Sequence, residues 1–299
     1  MRALLRRSLP AFVAPAFFFS DGFLILDFGF KGGLDLGFVV DAVSVFFGML
    51  LTFRFRPLSC LTHVHCTYNL RTVYVNDVWK HKMSILLSLH IIGAAIALLT
   101  GTGALVFKKG RPNHRLSGKV FVVSMLIMGT SAAPLAYAAG NGDMLSGALV
   151  CYLVLTSWMT FNPISRKVDV AMMVAAVVLL LSYLYLEWYL ATAGNRRPDI
   201  PVGVGYVFGS ILGLALLGDI RFFVKESISR ASKIIRHLWR MCFALFMASV
   251  SFFLARAHLF SDLIRDSGAL YVLALAPLVL MVFWWGYTLL STRSRLQVG

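Results

Sequence analysis

From residue 85 to residue 290 the chain is a succession of seven apolar runs, at 85–107, 120–139, 144–161, 170–190, 202–217, 239–259 and 269–290. Each is close to the twenty or so residues that a helix needs to cross about 30 Å of hydrocarbon. In hydrocarbon a backbone must satisfy its own hydrogen bonds, and unbroken apolar runs of this length do so as helices. The expected fold class is therefore all-α, a polytopic transmembrane helix bundle of about seven spans. Composition agrees. Hydrophobic residues make up 59% of the 299 and charged residues only 14%, against about 25% charged in soluble domains, and the mean hydropathy is +0.79. A net charge of +15 would suggest nucleic acid in a soluble chain. Here the cations sit in short connectors between apolar runs, where they act as topology signals and contacts for anionic lipid headgroups. The lipid bilayer is the expected partner, and nucleic acid is not.

The connectors orient the bundle. Between runs one and two stand Lys108, Lys109, Arg111, Arg115 and Lys119; between three and four, Arg166 and Lys167; between five and six, Arg221, Lys225, Arg230, Lys233, Arg236 and Arg240; after run seven, Arg293 and Arg295. The opposite connectors are poor in unbalanced base: Gly140-Asn-Gly-Asp143, then Arg196 and Arg197 beside Asp199, then Arg256 and Arg265 balanced by Asp262 and Asp266. The positive-inside bias puts the amino end of run one outside and the carboxyl tail in the cytoplasm. Tyr183, Tyr185, Trp188 and Tyr189 fit an interfacial aromatic belt at the outer end of run four.

Residues 1–82 read differently from 83–299. Arg2, Arg6 and Arg7 precede an apolar stretch broken by Pro15, Asp21 and Asp27, and the run 36–53 carries Asp41 at depth, which costs about 2.5–3.5 kcal/mol on insertion scales. A span there with Arg54, Arg56 and Arg71 inside would force the basic first connector outward. The conflict disappears if 1–82 is a signal region left outside or if translation starts at Met83, the expectation adopted here, with 83–299 as the membrane domain. Within 1–82, Cys60, His63, His65 and Cys66 crowd seven residues without a zinc-site spacing and read as incidental.

Small and ionisable residues mark the inward faces. Gly205, Gly209 and Gly213 recur every four residues in run five, and Gly93, Ala97 and Gly101 do so in run one, an arrangement that lets helices approach closely. His90 lies beside the run-one stripe. In run six, His237, Met241, Ala244, Ala248, Ser251, Ala255 and His258 fall on one face. Inward ionisable residues in a membrane are functional candidates by default.

The motif Gly110-x3-His114-Arg115-x2-Gly118-x2-Phe121, with Gly140-Asn141 and Tyr152-Leu-Val-x-Thr156-x-Trp158, resembles a family of uncharacterised bacterial multi-pass membrane proteins of the domain-of-unknown-function kind. The resemblance covers the chain from about Met83 onward. It implies a bacterial inner (cytoplasmic) membrane and no activity, substrate or cofactor.

Two functions compete. One is transmembrane electron transfer by b-type haem, with His90 and His258 as the outer candidate ligands and His114 and His237 as the inner ones. Against it, His237 and His258 are 21 residues apart, about 31 Å along a helix, which puts both irons at the membrane edges. His114 also reads as a headgroup contact or helix cap. The alternative is a small-molecule or lipid transporter, or a lipid-interacting protein, without a redox centre. It would use His90, Thr100, Thr102, Ser124, Ser131 and Ser251 with a backbone opened at Pro134. Hydroxyls that merely bond their own helix carbonyls are the simpler account of that set. An enzyme is the least supported class, because no nucleophile with a paired base and no phosphate loop is present in the sequence.

Overall fold

The computed structural model describes residues 70–138, 145–192, 203–225, 227–254 and 256–297, with backbone alone for 70–80 and 292–297. The described residues are helical: α1 (Leu70–Val106), α2 (Pro112–Ala138), α3 (Leu145–Met159), α4 (Arg166–Thr192), α5 (Val204–Val224), α6 (Arg230–Phe253), a 3₁₀ turn (Ala257–Leu259), α7 (Asp262–Asp266) and α8 (Ala269–Gln297). Among them α1, α2, α4, α5, α6 and α8 are long and apolar enough to cross a membrane. Their outward faces carry large apolar side chains such as Ile92 and Leu99 on α1, Leu181 on α4, Leu214 on α5 and Val272 and Phe283 on α8. Such faces suit hydrocarbon, and the chain is a multi-pass membrane protein.

The third apolar run behaves differently from the other six. α3 has 15 residues, about 22 Å of helix, which is short for a span exposed to lipid. All of them except Ser146 and Trp158 are buried, with α2, α4, α5 and α6 all in contact with it. A helix walled by protein need not match the lipid thickness, and an all-round apolar sequence is what such a central position demands. Around it, α1 packs along α2, α4 along α5 and α6 along α8.

The tightest approach is between α2 and α3. A Cβ on Gly129 would lie 2.6 Å from Cys151 Sγ and 2.9 Å from the Gly147 carbonyl oxygen, and one on Gly147 would overlap the Gly129 carbonyl oxygen. The expected stripe in run one is real: a Cβ on Gly93 would stand 3.3 Å from Ser124 O, and one on Gly101 2.9 Å from Phe121. In α5, Gly205 and Gly209 face α4, while Gly213 faces open space.

Helix ends differ from the hydropathy boundaries in ways that matter. α2 starts at Pro112, a residue suited to the first helical position, so His114 lies in its first turn. The connector before it turns at Gly110, whose φ of 79° is a left-handed conformation that favours glycine. α5 runs seven residues past the apolar run and carries Asp219 with it; α6 begins at Arg230, nine residues before the run, capped by Ser229 Oγ accepting the Ser232 N–H at 3.2 Å. α6 also stops at Phe253, so His258 sits on the separate 3₁₀ turn and does not continue the His237 face. The Met83 boundary falls inside α1, which is continuous from Leu70.

Candidate functional site

The charged centre of the bundle is Asp219 on α5. Its side chain is 7% exposed, and it accepts from two arginines of α6 that are one turn apart. Arg236 donates to Oδ1 through Nη2 at 2.6 Å and Nε at 3.1 Å. Arg240, fully buried, donates to Oδ1 through Nη2 at 2.6 Å and to Oδ2 through Nη1 at 3.2 Å. The Tyr152 hydroxyl donates to Oδ2. These bonds are charge-assisted, the strong kind, and they work in a setting where an unpaired charge would be very costly.

α3 supplies the rest of the network from one face. Tyr152 and Thr156 lie at i and i+4 on α3, and Thr160, in the turn just after it, continues the same side at i+8. Thr156 Oγ1 accepts from Arg240 Nη1 at 2.5 Å and donates to the Tyr152 carbonyl at 2.6 Å. Thr160 Oγ1 accepts from Arg236 Nη1 at 2.5 Å and donates to the Thr156 carbonyl at 3.0 Å. Arg240 Nη2 also donates to the Ala215 carbonyl at 2.7 Å. The Arg240 Nε–H has no hydrogen-bond partner among the described residues, and the guanidinium lies 5.4 Å from the Trp239 ring centroid and 5.8 Å from that of Tyr152. Arg236 lies 4.5 Å from the Phe222 ring centroid.

Beside this cluster is a cavity of about 300 Å³ between the end of α3, the start of α4, the end of α5 and the start of α6. Thr156, Thr160, Asp169, Asp219, Lys233 and Arg236 supply its polar lining. Met159, Met172, Met173, Phe222 and Phe223 are among its apolar walls. This is the end bearing Arg166 and Lys167, and walls that are polar on one side and apolar on the others suit an amphiphilic guest.

The histidines singled out from sequence lie apart from this cavity's lining. His90 is half-buried, and its Nδ1 lies 3.0 Å from the Met128 carbonyl and 2.9 Å from Ser131 Oγ. His114 Nδ1 lies 2.9 Å from the Ala104 carbonyl, tying the first turn of α2 to the end of α1. His237 Nδ1 lies 3.2 Å from the Ser157 carbonyl, and the Ser157 hydroxyl donates to the His237 carbonyl at 3.0 Å. A carbonyl can only accept, so all three rings carry the proton on Nδ1 in these contacts. His258 is exposed on its 3₁₀ turn.

Of the basic residues in the first connector, Lys108, Lys109, Arg111 and Arg115 are exposed and Lys119 is half-buried. Lys109 Nζ donates to the Ala104 and Leu105 carbonyls at 3.0 and 2.6 Å and lies 4.7 Å from the Trp284 ring centroid. It thereby caps the end of α1, where the helix dipole favours a cation. Desolvation there lowers its pKa from the ordinary lysine value.

Other sequence candidates fall into structural roles. Thr100 Oγ1 donates to Ile96 O at 2.7 Å and Ser131 Oγ to Ile127 O at 2.7 Å, each within its own helix. Ser251 and Pro134 are exposed, and α2 runs through Pro134 to Ala138. Of the aromatic group at the end of α4, Tyr185 and Trp188 are exposed as a belt requires, while Tyr183 is buried against Phe208. Glu187 is buried too, and its Oε1 accepts the Gly205 N–H at 2.6 Å at the start of α5, a position where a carboxylate suits the helix dipole. A Cβ on Gly205 would lie 2.5 Å from Glu187 Cγ, so a larger residue there would displace the Glu187 side chain. Cys60, His63, His65 and Cys66 lie outside the described residues.

Sequence reasoning missed Asp219, Arg236 and Arg240 because all three looked like part of the basic connector. The signals that could have found them are the i, i+4 spacing of the two arginines and the Tyr152, Thr156, Thr160 ladder on a helix with few other polar residues. No family model, no curated protein and no solved structure matches this chain.

Proposed function

We propose that this protein is a lipid-interacting or small-molecule-transporting membrane protein that binds an amphiphilic guest in the cavity beside Asp219 and Arg236. α3 crosses as a seventh, protein-enclosed span, the amino end of the bundle is outside and the carboxyl tail is in the cytoplasm. The cavity then opens at the cytoplasmic face of a bacterial inner membrane. The observation that carries the reading is the cavity itself, with an ion cluster on one wall and Met and Phe side chains on the others. A cluster serving only to join helices has no need of an adjoining space with unspent polar lining.

The test is the content of the purified protein. Extracted with its native lipids, the wild type should retain a small molecule or lipid at near-equal molar ratio by mass spectrometry. Met173→Trp, which fills the cavity from α4, should lose it. Equal content in both proteins would contradict the proposal.

The histidine contacts support haem-based electron transfer as a second reading. An imidazole whose Nδ1–H is anchored on a carbonyl presents an unprotonated Nε2, the form that ligates iron, and His90, His114 and His237 all have this anchor. Haem, when bound, would supply the electron-carrying iron; the residues' part is to hold that lone pair in a fixed direction. Under this reading protein from haem-replete cells has a Soret band that shifts on reduction, and His90→Ala removes about half of it, since each iron has its own pair. A colourless protein excludes it.

A further inference from the structure

We infer that the guest of this cavity carries a compact anion, a phosphate monoester or a group of like charge and size, joined to an apolar part; this rests on the cavity-binding reading above. Donors on the lining are left unspent. Arg236 has five N–H groups, of which three are used on Asp219 and Thr160, so two remain on a side chain that lines the cavity. Lys233, half-buried on the same lining, makes no ion pair among the described residues. Behind them the Asp219, Arg236 and Arg240 cluster has one carboxylate for two guanidinium groups and keeps a charge of +1.

The mouth continues the same sign. Arg166 and Lys167 border an adjoining hollow that shares Phe223 with the cavity, and Arg166 lies 4.5 Å from the Phe223 ring centroid. On the acidic side stands Asp169, in the first turn of α4 and itself on the cavity lining, so that the cluster, Lys233 and Asp169 together keep a charge of +1; Glu226 lies outside the described residues. A cationic guest would meet Lys233 and Arg236 with like charge, and a neutral one would leave the Lys233 ammonium without a partner. A phosphate accepts from both cations, and Met159, Met172, Met173 and Phe222 take the carbon part. That phosphate could be a lipid headgroup or a soluble phosphorylated molecule.

The test uses the full chain in maltoside detergent, with thermal unfolding as the readout. Dodecyl phosphate should raise the midpoint saturably, and dodecyltrimethylammonium should not. Lys233→Gln, which breaks no ion pair, should keep the unliganded midpoint but weaken dodecyl phosphate about tenfold, the effect of one charge-assisted hydrogen bond. If inorganic phosphate alone reproduces the shift, a soluble phosphorylated guest is indicated; if only dodecyl phosphate does, a lipid-like one is. Equal response to the cationic amphiphile, or a Lys233→Gln protein with undiminished affinity, overturns the anion inference while leaving cavity binding intact. No response to any of the probes, together with equal content of wild type and Met173→Trp, overturns both.

Discussion

Removing the Tyr152 hydroxyl takes one donor from a carboxylate that is almost wholly buried. Tyr152→Phe should therefore cost about 1.5–3 kcal/mol, the range for hydrogen bonds to charged groups, read as a lower unfolding midpoint in detergent. Asp219→Ala should cost more, about 3–5 kcal/mol, because Arg240 is left charged and fully buried with no counter-ion. Replacing the trio together, with Asp219→Leu, Arg236→Met and Arg240→Met, should recover most of that loss, as apolar substitutes for buried ion clusters do. A triple variant less stable than Asp219→Ala would contradict the view that the unpaired charge is the main cost. At this scale the sequence was only partly legible. An arginine at the edge of an apolar run looks the same whether it snorkels to a headgroup or turns inward to a carboxylate, and hydropathy holds no pairing information. Tyr152 and Thr156 stood out as motif residues, yet their shared helical face has meaning only once Arg240 is known to reach it.

Between elements, the decisive contact is the α2–α3 crossing at Gly129 and Gly147. Gly147→Ala should destabilise by about 1–3 kcal/mol, since the added methyl must displace the Gly129 backbone. Gly213→Ala, facing open space, should be neutral or stabilising by up to about 1 kcal/mol, as helix propensity favours alanine over glycine. Unfolding in one detergent compares the two directly, and equal effects would contradict the packing. The apolar runs themselves were readable because each nears twenty residues, and the run-one stripe was readable because Gly93, Ala97 and Gly101 keep a helical repeat. The α2–α3 crossing was not, because its glycines are one to a helix and no periodicity announces them. The ends of α5 and α6 were also lost to hydropathy, since their last and first turns are polar on one face and packed on the other. Those missed turns hold the candidate site.

For the molecule as a whole, α3 is enclosed by α2, α4, α5 and α6, with its ion cluster and cavity towards one end of the helices. Charge bias alone assigned that end to the cytoplasm. The basic ends of α4 and α6 meet at one end of the cavity. The proposed topology is a cavity open to the cytoplasm in a bundle whose α2–α3 connector is outside. It is tested by thiol labelling of three single-cysteine chains in a cysteine-free background, Ser117→Cys, Asn141→Cys and Lys233→Cys. With a membrane-impermeant maleimide, the cysteine at 141 should react in intact cells, while those at 117 and 233 should react only after the membrane is opened. Labelling at 233 from outside intact cells, or protection at 141, would contradict it.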